Sequence, residues 1–166
     1  MPNKNKLIFF CGKMGAGKST RAKVLAKQHN ALLLSEDDWL AAHYPDIETF
    51  EDYLRYAQRI KPFVRDLVMN MLKNGVSVVM DFPANTQRQR RWFLDLAQDA
   101  NCDHELHYLN RSDQHCLKQL AQRNKEQPER AAFDTPAVFE AVTRYFEAPT
   151  ESEGLHMIES RSLKDR

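Results

Sequence analysis

A stretch close to the N-terminus has the residue types and the spacing of a phosphate-binding loop. It fits the pattern G-x-x-x-x-G-K-S/T, called the P-loop or Walker A motif, and reads Gly12-Lys13-Met14-Gly15-Ala16-Gly17-Lys18-Ser19. Its glycines let the backbone curl so that successive N–H groups face phosphate oxygens. Lys18 is the expected cation for the β- and γ-phosphates, and the Ser19 hydroxyl is the expected ligand for Mg²⁺.

The sequence on either side of this loop supports the same interpretation. Residues 6–11 form a short apolar run of strand length, and residues 19–27 have the composition of a helix. The motif requires this context, because the helix adds its positive N-terminal end to the phosphate site. The alternative is a glycine-rich turn without a ligand. We predict that the nucleotide is bound by the consecutive residues Gly12, Lys13, Met14, Gly15, Ala16, Gly17, Lys18, Ser19 and Thr20.

Carboxylates follow two other apolar runs and supply the next part of the chemistry. Asp37 and Asp38 come after a short apolar run, where a carboxylate accepts the proton of an attacking hydroxyl or binds Mg²⁺ through water. Asp81 ends the run 76–81, the usual position of a Walker B carboxylate that binds Mg²⁺. The alternatives are structural, since Asp37 or Asp38 could cap a short helix and Asp81 could simply face a loop.

A charged stretch after the fifth predicted helix has the composition of a lid. Apolar periodicity is lost over residues 123–134, and arginines occur at its start and within it. Arginines that a closing lid brings to the phosphates stabilise the charge that develops there during transfer. Arg123 and Arg130 are the candidates for this role, and a solvated loop with both side chains in water is the alternative.

The elements that must position these residues alternate between strand and helix. Apolar runs of strand length occur at residues 6–11, 31–34, 76–81, 104–109 and 155–158. Helical spacing or helix caps mark segments that begin at Ser19, Asp46, Thr86, Ser112 and Thr135. This alternation predicts a parallel α/β sheet with helices on both faces. Ligands bind at the carboxyl ends of such strands, which brings the P-loop and the strand-end acids together.

Some local details of this pattern carry expectations of their own. Pro62 lies inside the helical segment 46–74 and predicts two helices or a kink there. Residues 159–166 are predicted to form a polar, frayed tail. A basic cluster in the helix after Thr86 is interpreted as an exposed helix face, with a site for an anionic acceptor as the alternative: Arg88, Arg90 and Arg91.

Composition sets the remaining limits. The chain has 166 residues and a net charge of +1, which predicts one domain over residues 1–166 without a general bias toward nucleic acid or membrane. No apolar run approaches the length of a membrane span, and the N-terminus shows no signal-peptide pattern. The cysteines, Cys11, Cys102 and Cys116, are scattered and odd in number, which is typical of reduced thiols in a cytoplasmic protein.

Taken as an ordered set over roughly residues 6–148, these motifs resemble the small P-loop kinases of the polynucleotide-kinase, zeta-toxin and chloramphenicol-phosphotransferase-like group, which are also described as AAA-type ATP-binding domains. The resemblance rests on the P-loop, the lid arginines, Ser35-Glu36-Asp37-Asp38, and Val78-Val79-Met80-Asp81 with Asn85. It implies a three-layer P-loop NTPase fold with a five-stranded parallel sheet, and ATP with Mg²⁺ as cofactors. It further implies that Asp37 is the catalytic base and that Arg123 or Arg130 contacts the phosphates.

The acceptor side differs from that of the polynucleotide kinases. Phe82-Pro83-Ala84-Asn85 replaces a small polar run, and Glu36 adds negative charge where those enzymes tend to be basic. Phe82 and Asn85 could line an acceptor pocket, and Phe82 could equally belong to the core. We therefore expect a hydroxyl-bearing acceptor, a small molecule or a nucleic-acid 5′-end, and we do not favour nucleic acid.

The predicted function is transfer of the γ-phosphate of ATP to that hydroxyl. The alternative is a nucleotide-binding module that hydrolyses ATP slowly and signals through a partner. The predicted catalytic residues are Asp37, Lys18, Arg123 and Arg130. The predicted metal ligands are Ser19, Asp37 and Asp81.

Overall fold

A parallel sheet forms the centre of the chain in a computed structural model that describes residues 4–131 and 133–161. Within these ranges there are five strands: β1 (Lys6–Cys11), β2 (Leu32–Ser35), β3 (Val78–Pro83), β4 (Asp103–Asn110) and β5 (Met157–Arg161). All neighbouring strands are parallel, and their order is β2-β3-β1-β4-β5. The predicted five-stranded parallel sheet is confirmed.

Helices cover both faces of this sheet. The described ranges contain α1 (Lys18–Gln28), α2 (Glu36–His43), α3 (Phe50–Lys73), α4 (Gln87–Asp99), α5 (Asp113–Glu126) and α6 (Pro136–Thr143), with 3₁₀ turns at Pro128–Arg130 and Glu151–Glu153. Buried residues of α3 and α4 pack in one core, and buried residues of α1 and α5 pack in the other. The predicted three-layer α/β architecture is confirmed.

The central strand β1 explains why two cores form. Its side chains alternate between the faces, so that Leu7 and Phe9 enter one core while Ile8 and Phe10 enter the other. All four are fully buried, as expected for a strand covered on both sides. Since β1 lies between β3 and β4, the loop that follows it opens at the middle of the sheet, where such folds bind ligands.

Strand β3 continues beyond Asp81 and ends at Pro83, although the sequence predicted that it would stop at Asp81. Pro83 is paired with Phe10 across a register shift in β1, which is the kind of irregularity that accommodates a proline in a sheet. Phe82 is buried in the core beside α3 and α4. Of the two roles considered for Phe82, the core position is therefore the one it occupies.

Helix α3 runs without interruption through Pro62, so of the two predicted alternatives the one with two separate helices is wrong. Pro62 is exposed. It has no N–H, so a carbonyl oxygen in the preceding turn of the helix lacks its usual hydrogen bond, but that oxygen lies on the solvent side, where water can satisfy it. An apolar stripe on the opposite face anchors both halves of the helix in the core, and it consists of Ile60, Val64, Val68 and Leu72.

Arg90 contradicts the interpretation of its basic cluster as an exposed helix face. Its side chain is fully buried, and its guanidinium forms a bidentate ion pair with Glu153, with Nε–Oε1 and Nη2–Oε2 distances of 2.7 and 3.2 Å. It also donates to the carbonyl oxygen of Ala84 at 3.1 Å. Arg90 therefore ties α4 to the segment before β5, whereas Arg88 and Arg91 are exposed.

The C-terminal strand lies further along the chain than residues 155–158, where the sequence predicted it. Because β5 comprises Met157–Arg161, residues 159–161 pair with β4 and the predicted tail begins too early. Residues 162–166 lie outside the described residues. None of the helices in the two described ranges is both long enough and apolar enough to cross a membrane.

Candidate active site

The P-loop joins β1 to α1 and packs tightly against α5. Gly15 and Gly17 have φ angles of 80° and 97°, in the left-handed region that favours glycine. A Cβ on Gly15 would lie only 2.5 Å from the carbonyl oxygen of Cys116 in α5. A side chain at this position would therefore meet backbone, and the curl of the loop depends on glycine at Gly15.

Lys18 is the first residue of α1, and no side chain among the described residues caps this helix end. The first N–H groups of α1 are therefore available to an anion in the loop. The Lys18 ammonium donates to the carbonyl oxygen of Gly12. Burial lowers the pKa of Lys18, and the nearby carboxylates of Asp81 and Asp37 oppose this effect.

Ser19 and Asp81 bring together two oxygen ligands from different elements. The Ser19 hydroxyl donates to Asp81 Oδ2 at 2.6 Å. Burial raises the pKa of Asp81, while the Ser19 hydrogen bond and the Lys18 charge lower it. One hydroxyl and one carboxylate fit Mg²⁺, which usually keeps several waters and binds phosphate oxygens as well. Within the described ranges, no group of three or more His, Cys, Asp or Glu side chains is arranged as a metal cluster.

The register of the sheet brings the end of β2 to the same edge. Ser35 pairs with Asp81, so the first turn of α2 starts beside the Ser19–Asp81 contact. Ser35 caps this helix, because its hydroxyl accepts from the Asp38 N–H at 3.3 Å. The alternative in which Asp37 or Asp38 is the cap is therefore wrong, and both lie inside the first turn of α2.

The two aspartates of this turn face different surroundings. Asp38 is exposed. Asp37 is in contact with the lid and with α3: its Oδ2 accepts from Arg130 Nη2 at 3.4 Å, and its Oδ1 lies 3.1 Å from the Tyr53 hydroxyl. The preceding residue, Glu36, is buried and also accepts from Tyr53, and burial raises the pKa of Glu36 to about 7. Asp37 is thus the member of the pair that faces the site.

The lid arginines meet on one buried carboxylate. Arg123 forms two hydrogen bonds of 2.7 Å with the two oxygens of Asp134, and Arg130 Nε donates to Asp134 Oδ2 at 3.0 Å. Asp134 is 1% exposed. Nearby carboxylates raise the pKa of Arg130 against the effect of burial. Arg130 also hydrogen-bonds to Asp37. Arg123 lies in the last turn of α5 and hydrogen-bonds to Asp134.

The predicted lid at 123–134 is more regular than its composition suggests. Helix α5 extends to Glu126, and Pro128–Arg130 forms a 3₁₀ turn. The α6 cap follows at once, since the Thr135 hydroxyl accepts from the Val138 N–H at 3.1 Å, as predicted. Residue 132 lies outside the described residues.

Asn85 has a role that the sequence did not suggest. Its Oδ1 accepts from the Gly12 N–H at 2.9 Å, and its own N–H donates to Gln89 Oε1 at 2.8 Å. It therefore braces the start of the P-loop from the end of β3. The sequence signal is its place in the run after the strand-end aspartate, which predicts a pocket lining and contributes to the family resemblance but does not indicate a contact with the P-loop.

One side chain of the predicted nucleotide-binding set is paired outside the centre of the site. The Lys13 ammonium pairs with Asp113 at 2.7 Å on α5. Thr20 is exposed in the first turn of α1. The side chains gathered at the strand ends are Lys18, Ser19, Asp37, Asp81 and Arg130.

Comparisons with known proteins bear on the family and the fold of the chain. A family model described as an AAA domain matches residues 7–149 of the chain. No curated protein matches the chain.

Several solved structures share the fold. A candidate kinase from Chloroflexus aurantiacus is 18% identical with a TM-score of 0.76, and the match covers 96% of this chain and 89% of that chain. The APS kinase CysC from Mycobacterium tuberculosis, solved with AMPPNP and APS, is 16% identical with a TM-score of 0.65 and coverages of 98% and 91%. A chain of the Pnkp1/Rnl/Hen1 RNA repair complex is 20% identical with a TM-score of 0.64 and coverages of 87% and 47%.

Proposed function

The chain belongs to the AAA domain family and has the fold of the small P-loop kinases, and we propose that it is an ATP-dependent kinase acting on a hydroxyl acceptor. The observation that carries the proposal is the contact between Asp37 and Arg130 at 3.4 Å, beside the P-loop. Phosphoryl transfer to an alcohol needs two groups next to the bound nucleotide. One is a carboxylate that accepts the proton of the alcohol, and the other is a guanidinium that stabilises the charge on the phosphate.

The nucleotide is assigned to the loop and the start of α1. The backbone N–H groups of the loop and the Lys18 ammonium would bind the β- and γ-phosphates. The Ser19 hydroxyl and the Asp81 carboxylate, which are 2.6 Å apart, would hold Mg²⁺ directly or through water. When bound, Mg²⁺ supplies charge neutralisation at the β- and γ-phosphate oxygens.

Phosphoryl transfer is assigned to Asp37 and Arg130. The Asp37 carboxylate would orient the acceptor hydroxyl and accept its proton. The Arg130 guanidinium would move from Asp37 to the γ-phosphate and stabilise its charge in the transition state. Arg123, which forms two hydrogen bonds to Asp134, would hold that carboxylate in position for Arg130.

The acceptor is proposed to be a small molecule. The fold neighbours include a kinase solved with AMPPNP and APS and a chain of an RNA repair complex, so the fold itself leaves both acceptor classes open. The acceptor class rests on charge, because Asp37 and Asp38 are consecutive at the acceptor side. A nucleic-acid strand would bring its phosphates toward these carboxylates, and like charges at short range repel.

The test is label transfer from γ-labelled ATP with Mg²⁺. The wild type is incubated with a small-molecule extract and, in parallel, with 5′-hydroxyl oligonucleotides, and the labelled fraction is identified. We expect label in the small-molecule fraction and none with Lys18→Ala. Label on the oligonucleotide alone would overturn the acceptor class. Release of labelled phosphate without any labelled acceptor would favour the rival function, a regulatory ATPase module, over a kinase.

A further inference from the structure

The Asp37 carboxylate is held at both oxygens by side chains from different parts of the chain. Arg130 of the lid contacts Oδ2 at 3.4 Å, and the Tyr53 hydroxyl of α3 contacts Oδ1 at 3.1 Å. Among the described residues, these are the two side chains that hydrogen-bond to this carboxylate. Because one oxygen is held by a lid residue and the other by a helix, the two contacts do not depend on the same element.

Tyr53 is itself firmly held. It lies in the first turn of α3, whose start is fixed by the Thr49 hydroxyl accepting from the Asp52 N–H at 3.0 Å. Its ring stacks on Phe50 with centroids 6.0 Å apart. Its single hydroxyl proton is shared between Asp37 and Glu36, and Glu36 is 7% exposed and therefore has little freedom to move. The hydroxyl is thus fixed before it meets Asp37.

We propose that Tyr53 positions the Asp37 carboxylate for proton abstraction from the acceptor hydroxyl. This inference rests on the proposed function, in which Arg130 leaves Asp37 to bind the γ-phosphate. Once Arg130 has moved, Tyr53 is the contact that keeps Asp37 in place. In this scheme Arg130 of the lid binds the γ-phosphate, and Tyr53 of α3 holds the base, Asp37.

Tyr53 acts through Asp37 and does not itself exchange protons in this scheme. The acceptor oxygen forms a bond to the γ-phosphorus while the bond from that phosphorus to the bridging oxygen breaks, and ADP leaves with the electron pair. The acceptor proton passes to Asp37. Burial, reinforced by the charges of Glu36 and Asp37, raises the pKa of Tyr53, so the hydroxyl keeps its proton and remains a donor.

Tyr53→Phe is the variant that removes this contact with little change in shape. We expect kcat for label transfer to fall about tenfold to a hundredfold, with KM for ATP unchanged within error, because a small misplacement of a reacting group has effects of this size. Tyr56→Phe is the matched control: Tyr56 lies one turn along the same helix, and its ring stacks on Tyr44 with centroids 4.1 Å apart. It is expected to keep wild-type kcat.

The double variant Tyr53→Phe/Asp37→Asn separates positioning from a structural effect. If Tyr53 works through Asp37, the double variant is no slower than Asp37→Asn alone. Losses that multiply, or a Tyr53→Phe change confined to KM, would overturn the inference. Glu36→Gln, whose amide can still hydrogen-bond to Tyr53, is a second variant and is expected to stay within a few-fold of wild-type kcat.

Failure of this inference is distinguishable from failure of the proposed function. If the wild type transfers label and Tyr53→Phe matches it, the positioning role is wrong and the kinase assignment stands. If the wild type labels no acceptor, the kinase assignment is wrong and the positioning role falls with it. Unfolding curves for Tyr53→Phe and Tyr56→Phe show whether either change acts by destabilising the fold.

Discussion

Arg130 and Asp37 form an ion pair at 3.4 Å although 93 positions separate them in the chain. The pair joins the segment after α5 to the first turn of α2. Both segments lie at the edge of the sheet where the strands end and the P-loop begins. Arg130 is also held by Asp134 at 3.0 Å, so its guanidinium is shared between a buried carboxylate and a half-exposed one. A guanidinium shared in this way can exchange Asp37 for a phosphate while Asp134 keeps it in place.

The first prediction separates the roles of the two lid arginines. Arg130→Lys is expected to lower kcat for label transfer about 100-fold, because lysine keeps the charge but lacks the planar fork that reaches two groups. Arg123→Lys is the matched change, since Arg123 contacts Asp134 but not Asp37. It is expected to leave kcat within a few-fold and to cost about 1 kcal/mol of unfolding free energy.

Both variants are measured by label transfer and by urea unfolding. Equal losses of kcat in the two would contradict the division of roles, as would a larger loss for Arg123→Lys.

The second prediction concerns the P-loop backbone. Gly15→Ala is expected to destabilise the fold by about 3 kcal/mol or more, because positive φ costs roughly 1–2 kcal/mol and overpacking adds a similar amount. Gly75→Ala is the matched control: its φ is 78°, but a Cβ there would meet nothing within 4 Å. It is expected to cost only the conformational part, about 1 kcal/mol.

Urea unfolding of the two glycine variants provides the comparison. Similar losses would mean that the carbonyl of Cys116 does not limit the space at Gly15.

The sequence predicted the parts of the site that depend on local pattern. The P-loop, Ser19 and Asp81 could be found because strand ends in a parallel sheet meet at one edge. The contact between Tyr53 and Asp37 could not, because it depends on how α3 packs beside α2, and the spacing within either helix carries no information about it. Sequence patterning identifies the buried face of a helix, but not which polar group on it meets a neighbour.

Buried charges show the same limit. Arg90 was interpreted as exposed because arginines usually are, yet it is fully buried against Glu153. Asp134 is similar, since two arginines from the same segment cover it. Arg90 and Glu153 are 63 positions apart, so only the finished fold brings that pair together. The Asp134 pairs lie within one segment, but its composition does not show that this carboxylate is buried.

The third prediction is a dependence of stability on pH. Burial raises the pKa of Glu36 from an ordinary 4.5 to about 7, so between these values the folded chain binds a proton that the unfolded chain releases. The stabilisation is fully present below the unfolded pKa and is lost as pH rises through the folded one. Its size is about 3 kcal/mol at most, from 1.36 kcal/mol per pKa unit.

Urea unfolding at about pH 5 and about pH 8 tests this prediction. Between these two conditions the wild type is expected to lose more stability than Glu36→Gln, which does not titrate. If the two proteins change in parallel, Glu36 does not take up a proton in the folded state.

We propose that Asp37 is the base of a kinase site, and the decisive measurement is transfer by Asp37→Asn at saturating ATP and Mg²⁺. ATP affinity is measured on the same preparation, and Asp38→Asn, the exposed neighbour, is the control. We expect ATP affinity within a few-fold of wild type, a loss of transfer of about 100-fold or more in Asp37→Asn, and no loss of transfer in Asp38→Asn. Wild-type transfer by Asp37→Asn would contradict this proposal.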